Sequence, residues 1–163
     1  MSFDAAQPSA PKDEVRLHLG GLSEGTRVLS SKGLVRVEKL RTGDRLVTRD
    51  LGMQTLRLVT ERLVPQGEIV RIDPTAFEHA EAQKPLAVAP TQRILVRDWR
   101  AKAMFQKTRA LVAARRLVDG ELICIEAVGE HRMYSLHFDH LRIMYAGGFE
   151  CGSATPVSRM LGG

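Results

Sequence analysis

An all-β fold is predicted for this 163-residue chain by three observations. Thr26-Arg27-Val28-Leu29 and Leu34-Val35-Arg36-Val37 are β-prone runs on either side of Ser30-Ser31-Lys32-Gly33, a hairpin signal whose short loop carries the glycine. Runs of the same kind recur along most of the sequence, separated by turns rich in Gly and Pro. A single short helix is read, over residues 108–118, which hold helix formers.

Taken in order, Arg45-Leu46-Val47-Thr48 is a short strand, and Asp50-Leu51-Gly52 is a turn. Residues 54–64 alternate apolar and polar side chains for much of their length and read as one long strand. Pro65-Gln66-Gly67 breaks it, and Ile69-Val70-Arg71-Ile72 resumes. Residues 73–85, polar and holding Pro74 and Pro85, read as a loop. Leu86-Ala87-Val88 and Arg93-Ile94-Leu95-Val96 are strands around Ala89-Pro90-Thr91-Gln92. Residues 108–118 suit one or two helical turns ended by Asp119-Gly120. Strands follow at 121–127, 132–138 and 142–145, the last closed by Gly147-Gly148. The spacing predicts a folded domain over 15–150, with flexible tails at 1–14 and 151–163.

Hydrophobic residues at 44% and charged residues at 26% are globular usage and argue against a disordered chain. The net charge of +5 favours acidic proteins, nucleic acid or anionic surfaces as partners. Most of the Lys and Arg are dispersed among Asp and Glu; the dense clusters are 97–109 and Arg115-Arg116. In the first, Trp99 and Phe105 interleave with Arg97, Arg100, Lys102, Lys107 and Arg109, a candidate surface for an acidic protein or for nucleic acid. No stretch approaches a membrane span, and residues 1–14 lack the apolar core of a signal peptide, so no membrane partner is expected and a cytoplasmic location is. A leaderless export route would leave no trace at this end.

Cys124 and Cys151 lack the spacing of zinc or redox pairs. Cys124, inside Leu122-Ile123-Cys124-Ile125, is expected to be a buried small hydrophobe. Cys151 falls in the turn-like Gly148-Phe149-Glu150-Cys151-Gly152 and is reactive only if exposed beside Arg or His. His131, His137, His140 and Asp139 form a loose group read as structural; no metal and no cofactor is expected. Nothing recruits His18 or His79.

Four segments, in order, resemble the bacterial Hint (Hedgehog/intein) domain. Gly25-Thr26-Arg27-Val28, a hairpin, then Val37-Glu38-Lys39-Leu40-Arg41-Thr42-Gly43-Asp44 is similar to that family's opening. Residues 86–96, Leu111–Gly120 and Leu136–Gly148 resemble its middle and closing segments. The resemblance covers residues 21–150 and implies a Hint-like horseshoe of β-hairpins with one short helix.

The resemblance also implies self-catalysed peptide rearrangement. A Cys or Ser at the first position attacks the carbonyl before it, a His protonates the leaving nitrogen, and a later Asp or His moves protons. In this sequence the nucleophile position is Gly21, which has no side chain. The His position is Gln92, which does not titrate near neutral pH. The neighbouring Ser or Thr position is Ala89. Asp139 matches, but the His two residues on is Leu141, and no His-Asn pair closes the chain. Ser23 and Thr91 are the only weak substitutes near the lost groups. The first reading is therefore an inactive Hint domain serving a protein partner or a structural role. The alternatives are autoprocessing through a non-standard nucleophile and a basic nucleic-acid-binding module.

Overall fold

A computed structural model of the chain describes residues 18–78 and 80–160; His79 and residues 1–17 and 161–163, with the whole of the expected N-terminal tail, lie outside them. The alternating sequence runs form fourteen strands among the described residues. They are β1 (Leu22–Ser23), β2 (Arg27–Ser30), β3 (Gly33–Arg36), β4 (Arg45–Thr48), β5 (Gly52–Thr55), β6 (Leu58–Val64) and β7 (Gly67–Ile72) in the first half. β8 (Leu86–Val88), β9 (Arg93–Val96), β10 (Ala110–Ala113), β11 (Ile123–Val128), β12 (His131–His137), β13 (Ile143–Ala146) and β14 (Phe149–Gly152) follow. One short helix, α1 (Trp99–Phe105), interrupts them, and a single turn, α2 (Val157–Met160), ends them.

The strands pair antiparallel in two sheets. One runs β10-β9-β14-β13-β2-β4-β5, with β3 paired on β2; the other runs β11-β7-β8-β1-β12-β6. The fold is the all-β horseshoe that the resemblance implied. One core joins both sheets, with Val28, Leu46, Ile94 and Phe149 meeting Leu22, Val70, Ile72 and Leu136. A smaller cluster of Ile69, Ala89 and Met133 sits apart from it.

The predicted hairpin is β2–β3, in register Val28 with Val35 and Leu29 with Leu34. The long strand expected over 54–64 is instead two strands in different sheets. Leu56 N–H turns to the Asp44 carbonyl at 2.7 Å and Arg57 N–H to the His137 carbonyl at 2.9 Å, so the chain changes sheets at that step. The described residues of 73–85 form no strand, as expected, yet Phe77 is buried and meets the Phe149 ring edge-on at 6.2 Å.

The helix expected over 108–118 is absent. Residues 110–113 pair with β9, and only Ala114–Leu117 wind into a 3₁₀ turn. The ladder to β9 overrides the helix propensity of these residues, which is a small term per residue. The helix forms earlier, at Trp99–Phe105, because Asp98 caps it by accepting the Arg100 N–H at 3.0 Å, and Gln106 stops it in a left-handed conformation with φ of 55°. The body also continues past residue 150. β14 runs through Gly152, and Cys151 to Thr155 are buried, so the tail expected from 151 does not begin there. Cys124 is only partly buried, since β11 is an edge strand and Ile123 takes its inward face.

Candidate functional site

β1 is only two residues long, but it is gripped on both sides. Leu22 pairs with Val88 of β8 and with Tyr134 of β12, and Ser23 pairs with Met133. This fixes the peptide between Gly20 and Gly21, just before β1, among three strands. The Gly21 carbonyl accepts the Ala89 N–H at 3.0 Å.

Every polar group of the 20–21 peptide has a side-chain partner. The Gly20 carbonyl accepts from Arg62 Nη2 at 2.7 Å, and the Gly21 N–H donates to Gln92 Oε1 at 2.9 Å. The Gln92 Nε2 then donates to the Arg93 carbonyl at 2.9 Å and to the Gly152 carbonyl at 2.8 Å. Gln92 is buried, and this set satisfies its amide fully. Arg62 Nη1 also approaches Ser135 Oγ at 3.5 Å.

The backbone conformation favours glycine at both positions of the peptide. Gly20 has φ of +60°, and a Cβ there would stand 2.7 Å from Gln92 Oε1. Gly21 has φ of +149°, and a Cβ there would stand 3.0 Å from Met133 Cβ and 3.3 Å from Arg62 Nη2. The smaller apolar cluster, through Met133 and Ala89, closes on the place where a side chain of residue 21 would lie.

The structure thus brings Gly21, Gln92 and Ala89 together, and adds Arg62, which the sequence did not reveal. Asp139 is elsewhere: its exposed carboxylate pairs with Arg57 Nη1 at 3.1 Å. Leu141 is exposed on the same connection. Ser23 Oγ donates to the Ala87 carbonyl at 2.8 Å, which engages the hydroxyl, and the Thr91 residue is exposed. Cys151 is fully buried rather than held in a loop; burial, aided by the Glu150 carboxylate, pushes its thiol up to about 12.

His137 is buried between two partners. Its Nδ1 lies 2.8 Å from the Thr155 carbonyl and so carries the proton, leaving Nε2 to accept from Thr60 Oγ1 at 3.0 Å. Burial lowers its pKa, with the Thr155 hydrogen bond opposing. His140 is exposed, and His131 Nδ1 lies 2.7 Å from the Gly129 carbonyl. No group of three or more His, Cys, Asp or Glu among the described residues is placed to hold a metal ion. His18 lies against the segment after β14, its carbonyl accepting the Thr155 N–H at 2.9 Å; burial and nearby Arg93 lower its pKa.

The basic segment is only partly available. Arg97 donates to Glu150 at 2.9 Å. Arg100 pairs with Asp98 at 2.5 Å and lies over the Phe77 and Trp99 rings at 4.8 and 5.0 Å. Phe105 is half-buried under the Arg116 guanidinium. Trp99, Lys102, Lys107 and Arg109 are exposed.

The model of the Hint domain family matches residues 21–158. The chain belongs to the Hint-domain family. No curated relative matches it. Among solved structures, this Hint domain is similar to a bacterial intein-like domain from Clostridium thermocellum, with 14% identity, 83% of this chain and 98% of that one covered, and a TM-score of 0.57. It is also similar to the gp41-1 intein, with 13% identity, 81% and 97% covered, and a TM-score of 0.56. A DnaB intein from Synechocystis sp. PCC 6803 gives 9%, 83%, 99% and 0.57. The Hint fold is that of a self-processing family. No helix among the described residues is long and apolar enough to cross a membrane.

Proposed function

We propose that this Hint domain does not cut its own backbone and acts as a binding or structural scaffold for a protein partner. The observation that carries this reading is the contact of Gly21 with Gln92. Self-cleavage of the family type needs an attacking sulfur or oxygen at the first position and an acid at the leaving nitrogen. Here the first position holds hydrogen alone. The neighbour of its N–H is an amide oxygen, which accepts a hydrogen bond and has no proton to give.

The replacement groups also suit a static role. Gln92 ties the entry of the domain to β14, and Arg62 clamps the Gly20 carbonyl, so the scissile position of the family becomes a hydrogen-bonded staple. One contact favours a second reading, residual processing. An Arg on the carbonyl oxygen is what would stabilise charge developing there during acyl transfer. Without an attacker that charge does not develop, and the Arg62 contact serves the scaffold.

The test is the intact mass of the purified full chain after incubation with a thiol, with hydroxylamine, and with neither. A single mass of 18.1 kDa in all three supports the scaffold. Release of residues 1–20 in any of them overturns it.

A further inference from the structure

We propose that the open edge of β10 is a docking site for an extended acidic peptide, which adds as a further strand. This rests on the scaffold reading above and names its partner class.

The first observation is the edge itself. β10 is the last strand of its sheet, and no other strand among the described residues pairs with it beyond β9. Ala114 N–H donates to the Gln92 carbonyl at 2.8 Å, and Val112 stands opposite Ile94. By the two-residue alternation of an antiparallel ladder, Leu111 and Ala113 turn their N–H and C=O groups outward. An extended peptide satisfies such a row with its own main chain.

The second observation is a groove of about 430 Å³ beside that strand, lined by Leu95, Leu111 and Ile143 with Arg49, Asp50 and Arg109. Its apolar wall suits an aliphatic side chain. Two of its charges are already engaged: Arg49 by Glu150 at 3.1 Å, and Asp50 by Arg142 at 3.6 Å. Arg109 has no ion pair or hydrogen bond among the described residues, so the groove carries uncompensated positive charge.

The third observation is where the charge of the chain resides. Residues 99–118 hold six Lys and Arg and no Asp or Glu. The remaining residues hold 18 Lys and Arg against 19 Asp and Glu, so this one stretch supplies the whole basic excess. It contains β10. Lys107 and Arg109 precede the strand, and Arg115 and Arg116 follow it, all exposed. Exposed Trp99 and Met104 lie on the adjoining helix, residue types that interfaces favour.

A peptide fits these features better than nucleic acid does. A nucleic acid has no amide ladder to offer the strand edge. Phe105 is half-buried under Arg116, which leaves Trp99 as the one exposed ring of the segment, without a neighbouring ring on which a second base could stack.

The test uses the full chain and its single tryptophan, Trp99, which is 70% exposed beside the site. An acetylated, amidated heptapeptide Glu-Leu-Glu-Val-Glu-Leu-Glu is titrated against Trp99 emission at low and high salt. A copy N-methylated at alternate residues and a seven-base oligothymidylate are run beside it. The expected result is saturable heptapeptide binding that weakens with salt, is lost on N-methylation, and drops about tenfold in the Lys107→Glu, Arg109→Glu variant. No saturable binding, binding that survives N-methylation or the charge reversal, or stronger binding of the oligothymidylate overturns the proposal. None of these results touches the intact-mass test, so failure here and failure of the scaffold reading are separate outcomes.

Discussion

The side-chain amide of Gln92 accepts the backbone N–H of Gly21 at 2.9 Å, and the same amide donates to the Gly152 carbonyl at 2.8 Å. A titratable imidazole could not hold both bonds across the pH range. The neutral amide does, because it offers an acceptor and a donor that never change.

Replacing Gln92 with Ala leaves the Gly21 N–H and the Gly152 carbonyl buried without that partner and opens a cavity. The expected loss is about 2–4 kcal/mol of unfolding free energy, read from urea denaturation. A variant within experimental error of the parent would show that the staple contributes nothing.

Introducing Ala at Gly21 places a Cβ against Met133 Cβ at 3.0 Å in a backbone conformation that side chains resist. A loss of about 1–3 kcal/mol is expected, measured the same way. The Gly21→Cys, Gln92→His pair carries the same packing penalty but supplies both missing groups. Thiol-induced cleavage before residue 21 is expected from it. Complete resistance in a folded double variant would mean that residue 21 is not the family's first position.

The two cysteines are expected to separate by reactivity. Cys151 is buried, and its thiol is pushed up to about 12, whereas Cys124 is partly exposed. A disulfide reagent near pH 8 should modify Cys124 alone in the native chain and both after denaturation. The linkage has a defined sign. The folded-state pKa lies above the ordinary value of 9.0, so this contribution to stability is complete below pH 9.0 and is lost as the pH rises toward about 12. The thermal midpoint should fall across that window, and less so in Cys151→Ala.

His137 and His18 set the acid side. Burial lowers both pKa values from 6.5, so each contributes stability that is present above 6.5 and is lost as the pH falls through the folded-state value. The thermal midpoint should decline below that pH. His137→Gln, which keeps a donor for the Thr155 carbonyl, should flatten the decline. An unchanged slope would assign it to other groups.

Much of this was legible in the sequence, and the failures have physical causes. The β2–β3 hairpin and the strands around Gln92 declared themselves by alternation and turn residues. The resemblance named Gly21 and Gln92 as family positions, but the hydrogen bond between them was not readable from it. Arg62 did not announce itself, because its contact with the Gly20 carbonyl depends on how β6 and β1 align on β12, a register that local pattern does not specify. β14 was hidden by Gly148-Phe149-Glu150-Cys151-Gly152, which looks like a turn. Its Glu150 is buried only because Arg49 and Arg97 come from distant strands and loops to meet it. The helix expected over 108–118 forms earlier, at Trp99–Phe105, because Asp98 caps that segment while β9 captures 110–113 as a strand, and neither effect is visible in propensity alone.

The most direct measurement is the mass of the untreated, thiol-treated and hydroxylamine-treated full chain, followed over days. The account predicts one undivided species at 18.1 kDa throughout. A fragment ending at Gly20, with its complement beginning at Gly21, would contradict it.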